Sequence, residues 1–209
     1  MGTRGAYGFV QDGKYKVTYN HYDSYPSGLG KEIAEFLRGV VKEGQLDTLK
    51  ERVKGLTLVN ESKAVPKKLL KKYEAFYNPK VNTGKKDDWY CVMHGLQNGD
   101  ILPHILEGSV EHMIDSSEFV KDSLFCEYAY IVDLNRDTFD IYIGFQHDPQ
   151  EGNVFGTEKE GDYYPVKKLI SFPLADIPSD WLEQVTKAEE KEQAIKEALE
   201  AEENGEEKE

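Results

Sequence analysis

The segment Thr18–Gly30 concentrates the side chains of this chain that could do chemistry. It reads TYNHYDSYPSGLG and holds an amide, an imidazole, a carboxylate, hydroxyls and three tyrosines. His21 is the natural general acid or base near neutral pH. Asn20 could donate a hydrogen bond to an oxyanion. Asp23 could orient the imidazole, provided that the extended strand continues through both residues.

The same residues also suit a purely structural loop. Asn, Asp, Ser, Pro and Gly form turns for backbone reasons, and Ser27 could cap a following helix. Two interpretations therefore stay open, a ligand site and an Asx-turn leading into a helix. The site hypothesis takes His21, Asp23 and Asn20 as catalytic and assigns ligand contacts to the remaining polar candidates. These are Thr3, Arg4, Tyr19, Ser24, Tyr25 and Ser27.

The N-terminal residues form the second candidate feature. Gly2 follows Met1 and favours removal of the methionine, which would place Thr3 and Arg4 at the start of a strand. Arg4 is a candidate clamp for an anion, because a guanidinium donates paired hydrogen bonds to carboxylate or phosphate. A surface or salt-bridge role for Arg4 is the alternative.

Other kinds of site find little support in the sequence. The histidines show neither the His-x₃-His nor the His-Glu-x-x-His spacing, so we expect no metal site. A phosphate-binding glycine loop and a nucleophile elbow are both missing, and we expect no cofactor. Cys91 has no identifiable base nearby in the sequence and is predicted to be a buried thiol.

Composition excludes several classes of protein. The chain has 209 residues, 39 of them acidic and 26 basic, for a net charge of −13. This balance disfavours a general nucleic-acid binder, which needs lysine and arginine for its phosphate contacts. No apolar run is long enough to span a membrane, and the first residues do not resemble a secretory signal. With only two cysteines, we predict reduced thiols in a soluble, cytoplasmic protein.

The charge is concentrated in two segments. Residues 182–209 contain 11 Glu and 4 Lys, which accounts for −7 of the −13. Residues 63–86 contain 8 Lys and one acid, Glu74, for a net charge of +7. Each segment is typical of a solvated helix face. An intramolecular contact between the two, or a basic surface for an anionic ligand, are the functional alternatives.

The first half of the chain predicts a hairpin followed by helices. Arg4–Val10 and Tyr15–Asn20 flank the tight-turn pair Asp12-Gly13. Apolar residues at helical spacing then predict a helix from Leu29 to Val41. Further helices are predicted at 47–54, from Pro66 to Tyr77, and at 88–97, with a short strand at 56–59.

The second half predicts a further hairpin and a terminal helix. Leu124–Leu134 and Thr138–Phe145 alternate in polarity and pair across a turn, and Tyr163–Phe172 adds a strand. The overall class is α+β with a mainly antiparallel sheet and helices packed on it. We predict one globular domain over residues 1–180, then an acidic helix over residues 181–209 with a disordered end from Asn204.

Three segments of the chain resemble known proteins. The opening Met1–Gly5, the loop Tyr19–Gly30 and the later run Asp122–Tyr128 are similar to a group of uncharacterised proteins from bacteriophages and bacteria, with related openings in fungi. The resemblance covers most of residues 1–178, leaves out the acidic tail, and implies a phage or bacterial protein of no assigned activity.

A second resemblance is architectural. An N-terminal hairpin followed by an Asn/Asp-rich loop and a helix is similar to the start of N-terminal nucleophile hydrolases and class II glutamine amidotransferases. Those families use Cys, Ser or Thr as the first mature residue. Here Gly2 holds that position, so a nucleophile at Thr3 would require a further cleavage.

Two functions of different class follow. The first is binding or hydrolysis of a small polar or anionic ligand at the Asn20–Ser27 loop. The alternative is a non-enzymatic phage accessory protein that docks on a host protein, or on a second copy of itself, through the acidic C-terminal helix.

Overall fold

A five-stranded sheet forms the centre of the protein, whose computed structural model describes residues 2–206, with side chains described from 2 to 198. The strands are β1 Gly5–Gln11, β2 Lys14–Asn20, β3 Thr57–Val59, β4 His112–Ile114, β5 Tyr128–Asp133, β6 Thr138–Ile143 and β7 Lys167–Pro173. The sheet order is β2-β1-β5-β6-β7, and β3 pairs with β4 in a separate parallel sheet.

The pairing of strands gives the predicted α+β class. β1–β2, β5–β6 and β6–β7 are antiparallel, so the predicted hairpins are present. The two hairpins are joined by a parallel pairing of β1 with β5, from Gly5 opposite Tyr128 to Val10 opposite Asp133. Only the hairpins were predicted from the sequence patterns, and the parallel pairing was not. The sheet is therefore mixed, although most of its pairings are antiparallel.

The helices lie between the hairpins and at the end of the chain. The first carries the predicted apolar face, with Ile33, Leu37 and Val40 buried. A short helical turn, Pro26–Gly30, precedes it, and no side chain caps either element, so the predicted capping role of Ser27 was wrong. The helices are α1 Lys31–Lys42, α2 Leu46–Gly55, α3 Lys67–Lys72, α4 Trp89–Met93, α5 Ile101–Glu107 and α6 Trp181–Glu206.

Two predicted helices are shorter than expected, and one helix was missed. α3 ends at Lys72, after which the N–H of Phe76 donates to the carbonyl of Tyr73, three residues back. α4 ends at Met93 and continues as a tighter turn, His94–Leu96. α5 was not predicted, and it contains Pro103 as its third residue. A proline is compatible with the first turn of a helix, whose N–H groups have no intrahelical partner.

Both faces of the sheet are covered. Along β5, Tyr130 and Val132 belong to the large core beneath the helices, whereas Ala129 and Ile131 belong to a smaller core on the opposite face. This alternation is the period of two expected of a strand. Loop residues close the smaller core, including Phe155 and Val166. β5 is therefore buried on both faces, whereas the alternation in polarity from which Leu124–Leu134 was predicted is typical of a strand with one face exposed to solvent.

The acidic C-terminal helix is packed on the body through its first turns. Trp181 and Val185 of α6 are buried. Further along, Glu192 forms a 2.7 Å ion pair with Lys167 of β7. α6 is described to Glu206, and residues 207–209 of the predicted disordered end lie outside the described residues. Within the described residues, Lys72 of the basic segment 63–86 forms an ion pair with Glu111 and not with a residue of α6.

Among residues 2–206, no helix combines the length and the apolar character required to cross a bilayer. Cys91 and Cys126 are both buried and unpaired. Burial raises the pKa of each thiol, which keeps it protonated.

Candidate functional site

The predicted site lies at one end of the sheet, where four chain segments meet. In the register, Gly5 is opposite both Asn20 and Tyr128, and Tyr128 is opposite Ile143. The starts of β1 and β5 therefore lie beside the ends of β2 and β6. As a result, the loop after Asn20 lies next to the N-terminal residues and to the segment that precedes β5.

Asn20 holds the loop together. Its side chain is fully buried, and its Nδ2 donates to the hydroxyl of Ser24 at 2.7 Å and to the carbonyl of Tyr22 at 2.5 Å. Its Oδ1 accepts a hydrogen bond from the backbone N–H of Asn98 at 3.2 Å. An oxyanion donor would need one of the two amide hydrogens, and both are already donated within the loop.

Ser24 and Thr3 lie inside the protein as well. The Ser24 N–H donates to the Thr3 carbonyl at 3.2 Å, and the Tyr130 hydroxyl donates to the Ser24 carbonyl at 2.8 Å. A Cβ at Gly5 would lie 2.7 Å from the Cβ of Ser24. This close approach requires glycine. The loop is thus packed on the start of β1, with its serine facing inward.

Asp23 lies at the point where the chain turns away from the strand. Its φ is +52°, and its carbonyl accepts a hydrogen bond from the Leu29 N–H at 2.9 Å. A Cβ at Gly28 would lie 2.3 Å from that carbonyl oxygen. The Asp23 side chain is exposed. Within the described residues, no hydrogen bond joins Asp23 to His21, so the structure does not bring this predicted pair together.

His21 instead pairs with Tyr19. The Tyr19 hydroxyl and the His21 Nδ1 are 2.6 Å apart, and the rings of Tyr19 and Phe119 form a T-shaped contact with their centres 4.8 Å apart. Burial raises the pKa of Tyr19, and the positive charge of Arg4 partly opposes that shift. Tyr19 is therefore a protonated phenol at neutral pH, suited to donate to the imidazole.

Arg4 is exposed beside this pair. Its backbone N–H donates to the Glu127 carboxylate at 3.2 Å, and its guanidinium lies 5.5 Å from the centre of the Phe125 ring. In the described part of the chain, no carboxylate forms an ion pair with this guanidinium. Its donors therefore face solvent and an aromatic ring.

The outer surface of the site is aromatic. Tyr22 is 56% exposed and Phe125 is 47% exposed. Tyr25 is also exposed and lies 6.3 Å from Tyr128, measured between ring centres, and Ser27 is exposed next to it. Phe125 was not predicted as part of the site, because only the parallel β1–β5 pairing brings it beside Arg4.

A small cavity lies against the same strand, between β2 and the segment that contains α4. Its volume is about 50 Å³, and Tyr7, Thr18, Tyr19 and Tyr90 are among the residues that line it. The Tyr7 side chain is 2% exposed. Burial raises the pKa of Tyr7 and keeps it a donor. Tyr7 and Thr18 are partners in the predicted hairpin, whereas Tyr90 comes from α4, which no sequence pattern connected to β2.

Metal binding finds no support in the described part of the protein. Residues 2–198 contain no group of three or more His, Cys, Asp or Glu side chains arranged to hold an ion. Asp88, the most deeply buried carboxylate of the described residues, accepts hydrogen bonds from the backbone N–H and the hydroxyl of Thr83 and from the Cys91 N–H. These hydrogen bonds lower its pKa against the opposing effect of burial.

Comparison with protein-family models, with curated proteins and with solved structures found no match for this chain. The resemblances to phage and bacterial proteins and to N-terminal nucleophile hydrolases therefore stay predictions. What the site can do follows from the chemistry of its own residues, above all from the groups that remain available: Arg4, His21 and the surrounding aromatic rings.

Proposed function

We propose that the protein binds a small anionic molecule, such as a carboxylate or a phosphate, through Arg4 and His21, with Tyr19 orienting the imidazole. The observation that carries this proposal is the 2.6 Å contact between Tyr19 and His21 beside a guanidinium that has no ion-pair partner among the described residues. Guanidinium and imidazole donors favour anions, because charge-assisted hydrogen bonds are about twice as strong as neutral ones.

The Tyr19 contact determines which proton His21 offers. When the phenol donates to Nδ1, a neutral imidazole carries its proton on Nε2. The ring then presents an N–H outward in its neutral form and stays a donor when protonated. The ligand would therefore meet two donors from His21 and Arg4, with Tyr22 and Phe125 providing aromatic contacts at the edge.

Binding is better supported than hydrolysis. The Ser24 hydroxyl is fully buried and accepts a hydrogen bond from Asn20, so it is not available as a nucleophile. Thr3 is 2% exposed, which removes the other candidate hydroxyl from solvent. A general base without a nucleophile or an oxyanion donor supports recognition rather than turnover. The two reduced, buried cysteines support a cytoplasmic location.

The test is calorimetric titration with inorganic phosphate and with a series of small mono- and dicarboxylates. His21→Ala and Arg4→Gln should each weaken binding by about tenfold or more, which corresponds to about 1.4 kcal/mol. His147→Ala is the matched control, because His147 is an exposed imidazole that also packs on a tyrosine, Tyr163, at 4.6 Å. Equal affinity in the His21 and His147 variants would exclude this site.

A further inference from the structure

An open groove runs between α1 and α5, on the helical side of the protein. It consists of two adjoining depressions of about 540 Å³ and about 360 Å³. The two share Glu35, Phe36 and Pro103 in their lining, so they form one continuous feature. Neither depression is lined by Arg4, Tyr19 or His21, so the groove is independent of the anion site.

One complete face of α1 lines the groove. The contributing positions follow the i, i+3, i+4, i+7, i+8, i+11 pattern of a single helical face. At a rise of 1.5 Å per residue, this face is about 16 Å long, or about three helical turns. The residues are Glu32, Glu35, Phe36, Gly39, Val40 and Glu43.

The groove is acidic at its rim. Five carboxylates line it, and no lysine or arginine does so among the described residues: Glu32, Glu35, Glu43, Asp100 and Glu107. Some already have local partners, since Lys31 lies 3.7 Å from Glu35 and Glu32 accepts the Gly99 N–H at 2.9 Å. Within residues 2–198, Glu43 and Asp100 form no ion pair.

The base of the groove is apolar. Phe36 and Phe76 line the first depression, and Val40 and Leu106 line the second. An apolar base between acidic rims is complementary to a helix that carries leucine-like residues on one face and lysine or arginine on its flanks. Helix-in-groove recognition uses anchors at i, i+3 or i+4 and i+7, a spacing that a 16 Å groove accommodates.

We propose that this groove binds a basic amphipathic helix of a partner protein. The acidic rim favours a partner with positive charge. The length of the α1 face matches about three turns of a partner helix. The net charge of −13 adds long-range attraction for a basic segment and raises its association rate.

Gly39 provides a direct way to close the groove. It lies in the middle of the α1 face, and a Cβ built on it meets no atom within 4 Å. It is part of a regular helix, where glycine is less favourable than other residues. A large side chain at this position therefore fills the groove without disturbing the core.

The probe is a labelled synthetic peptide of leucine and lysine, about fourteen residues long and amphipathic as a helix, titrated by fluorescence anisotropy at about 150 mM salt, where the Debye length is about 8 Å. A peptide of the same composition, scrambled to remove the apolar face, is its control. We expect Gly39→Trp, and separately the triple variant Glu35→Gln, Glu43→Gln, Glu107→Gln, to weaken binding at least tenfold.

The matched control is a triple variant on the exposed side of α6, Glu183→Gln, Glu190→Gln, Glu197→Gln, which removes the same charge away from the groove. It should bind the peptide as the parent does. The proposal is overturned if this control loses as much affinity for the peptide as the groove variants do, or if Gly39→Trp binds the peptide normally. It is also overturned if spermine displaces the labelled peptide as effectively as the unlabelled peptide does.

Sedimentation of the full chain tests whether a second copy of the protein, and not a foreign helix, occupies the groove. If the protein forms a dimer that Gly39→Trp abolishes, the groove holds a second copy and the assignment to a foreign helix is overturned. A monomer that binds the amphipathic peptide and not the scrambled one supports it. Circular dichroism and thermal unfolding of Gly39→Trp verify that the fold is intact.

Discussion

The amide of Asn20 donates a 2.7 Å hydrogen bond to the hydroxyl of Ser24, and both side chains are fully buried. The two residues hold the loop in a closed turn whose interior is polar and whose exterior is aromatic. Through its Oδ1, the same amide also fixes Asn98, 78 residues further along the chain. The most polar segment of the sequence therefore contributes to stability as well as to a binding surface.

Replacing Asn20 tests this contribution. Asn20→Ala leaves the Ser24 hydroxyl and the Asn98 N–H without their partner, and each buried, unsatisfied group costs about 1–3 kcal/mol. We expect a loss of about 3 kcal/mol in the free energy of unfolding, measured in urea. Asn135→Ala is the control, because Asn135 accepts one exposed hydrogen bond from the Asp12 N–H. A similar loss in both variants would contradict the buried role of Asn20.

Two glycines should respond to alanine in opposite directions. Gly39→Ala should raise the free energy of unfolding by about 0.5–1 kcal/mol, because alanine is the better helix former and the site is open. Gly44→Ala should lower it by about 1 kcal/mol, because Gly44 has a φ of +67° beyond the end of α1. Thermal unfolding of both variants measures the difference, and a loss in both would show that α1 does not tolerate a side chain at position 39.

The free energy of unfolding should fall as the pH drops below the pKa that His112 has in the unfolded chain. Burial lowers the pKa of His112 below its usual value of 6.5, and its Nδ1 lies 2.6 Å from the Tyr73 hydroxyl. Below pH 6.5 the unfolded chain binds a proton that the folded protein resists, so stability decreases from there down to the lowered pKa. Urea unfolding between about pH 8 and about pH 5 should show this decrease.

The control for this pH dependence is a pair of histidine variants. His112→Gln should flatten the decrease in the free energy of unfolding below pH 6.5, because it removes the group that titrates. His147→Gln replaces an exposed imidazole and should keep the parent's profile. Identical profiles in the two variants would assign the pH dependence to other groups.

The first turns of α6 should behave as part of the core. Val185 is fully buried, and Val185→Ala should lower the free energy of unfolding by about 1–3 kcal/mol. Ile195, on the same helix, is 46% exposed, and Ile195→Ala should change it by less than about 0.5 kcal/mol. Chemical denaturation of both variants gives the comparison. An equal, small effect would indicate that α6 does not contribute to the folded body.

Local pattern was sufficient for the hairpins and for α1. The Asp12-Gly13 turn and the alternation along β5 and β6 depend on residues that are neighbours in the sequence, so both can be predicted from the sequence alone. The parallel pairing of Gly5 with Tyr128 depends on contacts between residues 123 positions apart. Nothing local encodes that pairing, and the position of Phe125 beside Arg4 depends on it.

The partner of His21 shows the same limit at the scale of one loop. Tyr19 lies two residues before His21, and Asp23 lies two residues after it. The spacing alone therefore favoured neither residue as the partner of the imidazole. The chain remains extended back to Tyr19 but turns at Asp23, where φ is +52°. The strand therefore keeps Tyr19 in reach of the imidazole, and the turn separates Asp23 from it. A positive φ at an aspartate is compatible with its sequence but is not specified by it.

The glycines beneath the loop have a consequence for how variation in this protein should be interpreted. A side chain at Gly5 would collide with the carbonyl of Tyr128 at 2.5 Å, and one at Gly28 with the carbonyl of Asp23. Tyr22, Asp23 and Ser27, by contrast, project into solvent. In a library selected for folding alone, the two glycines should survive while the exposed side chains drift. If His21 and Arg4 persist in a library selected for activity, their persistence would then indicate a role in ligand binding. Persistence of the two glycines indicates only that the fold requires them.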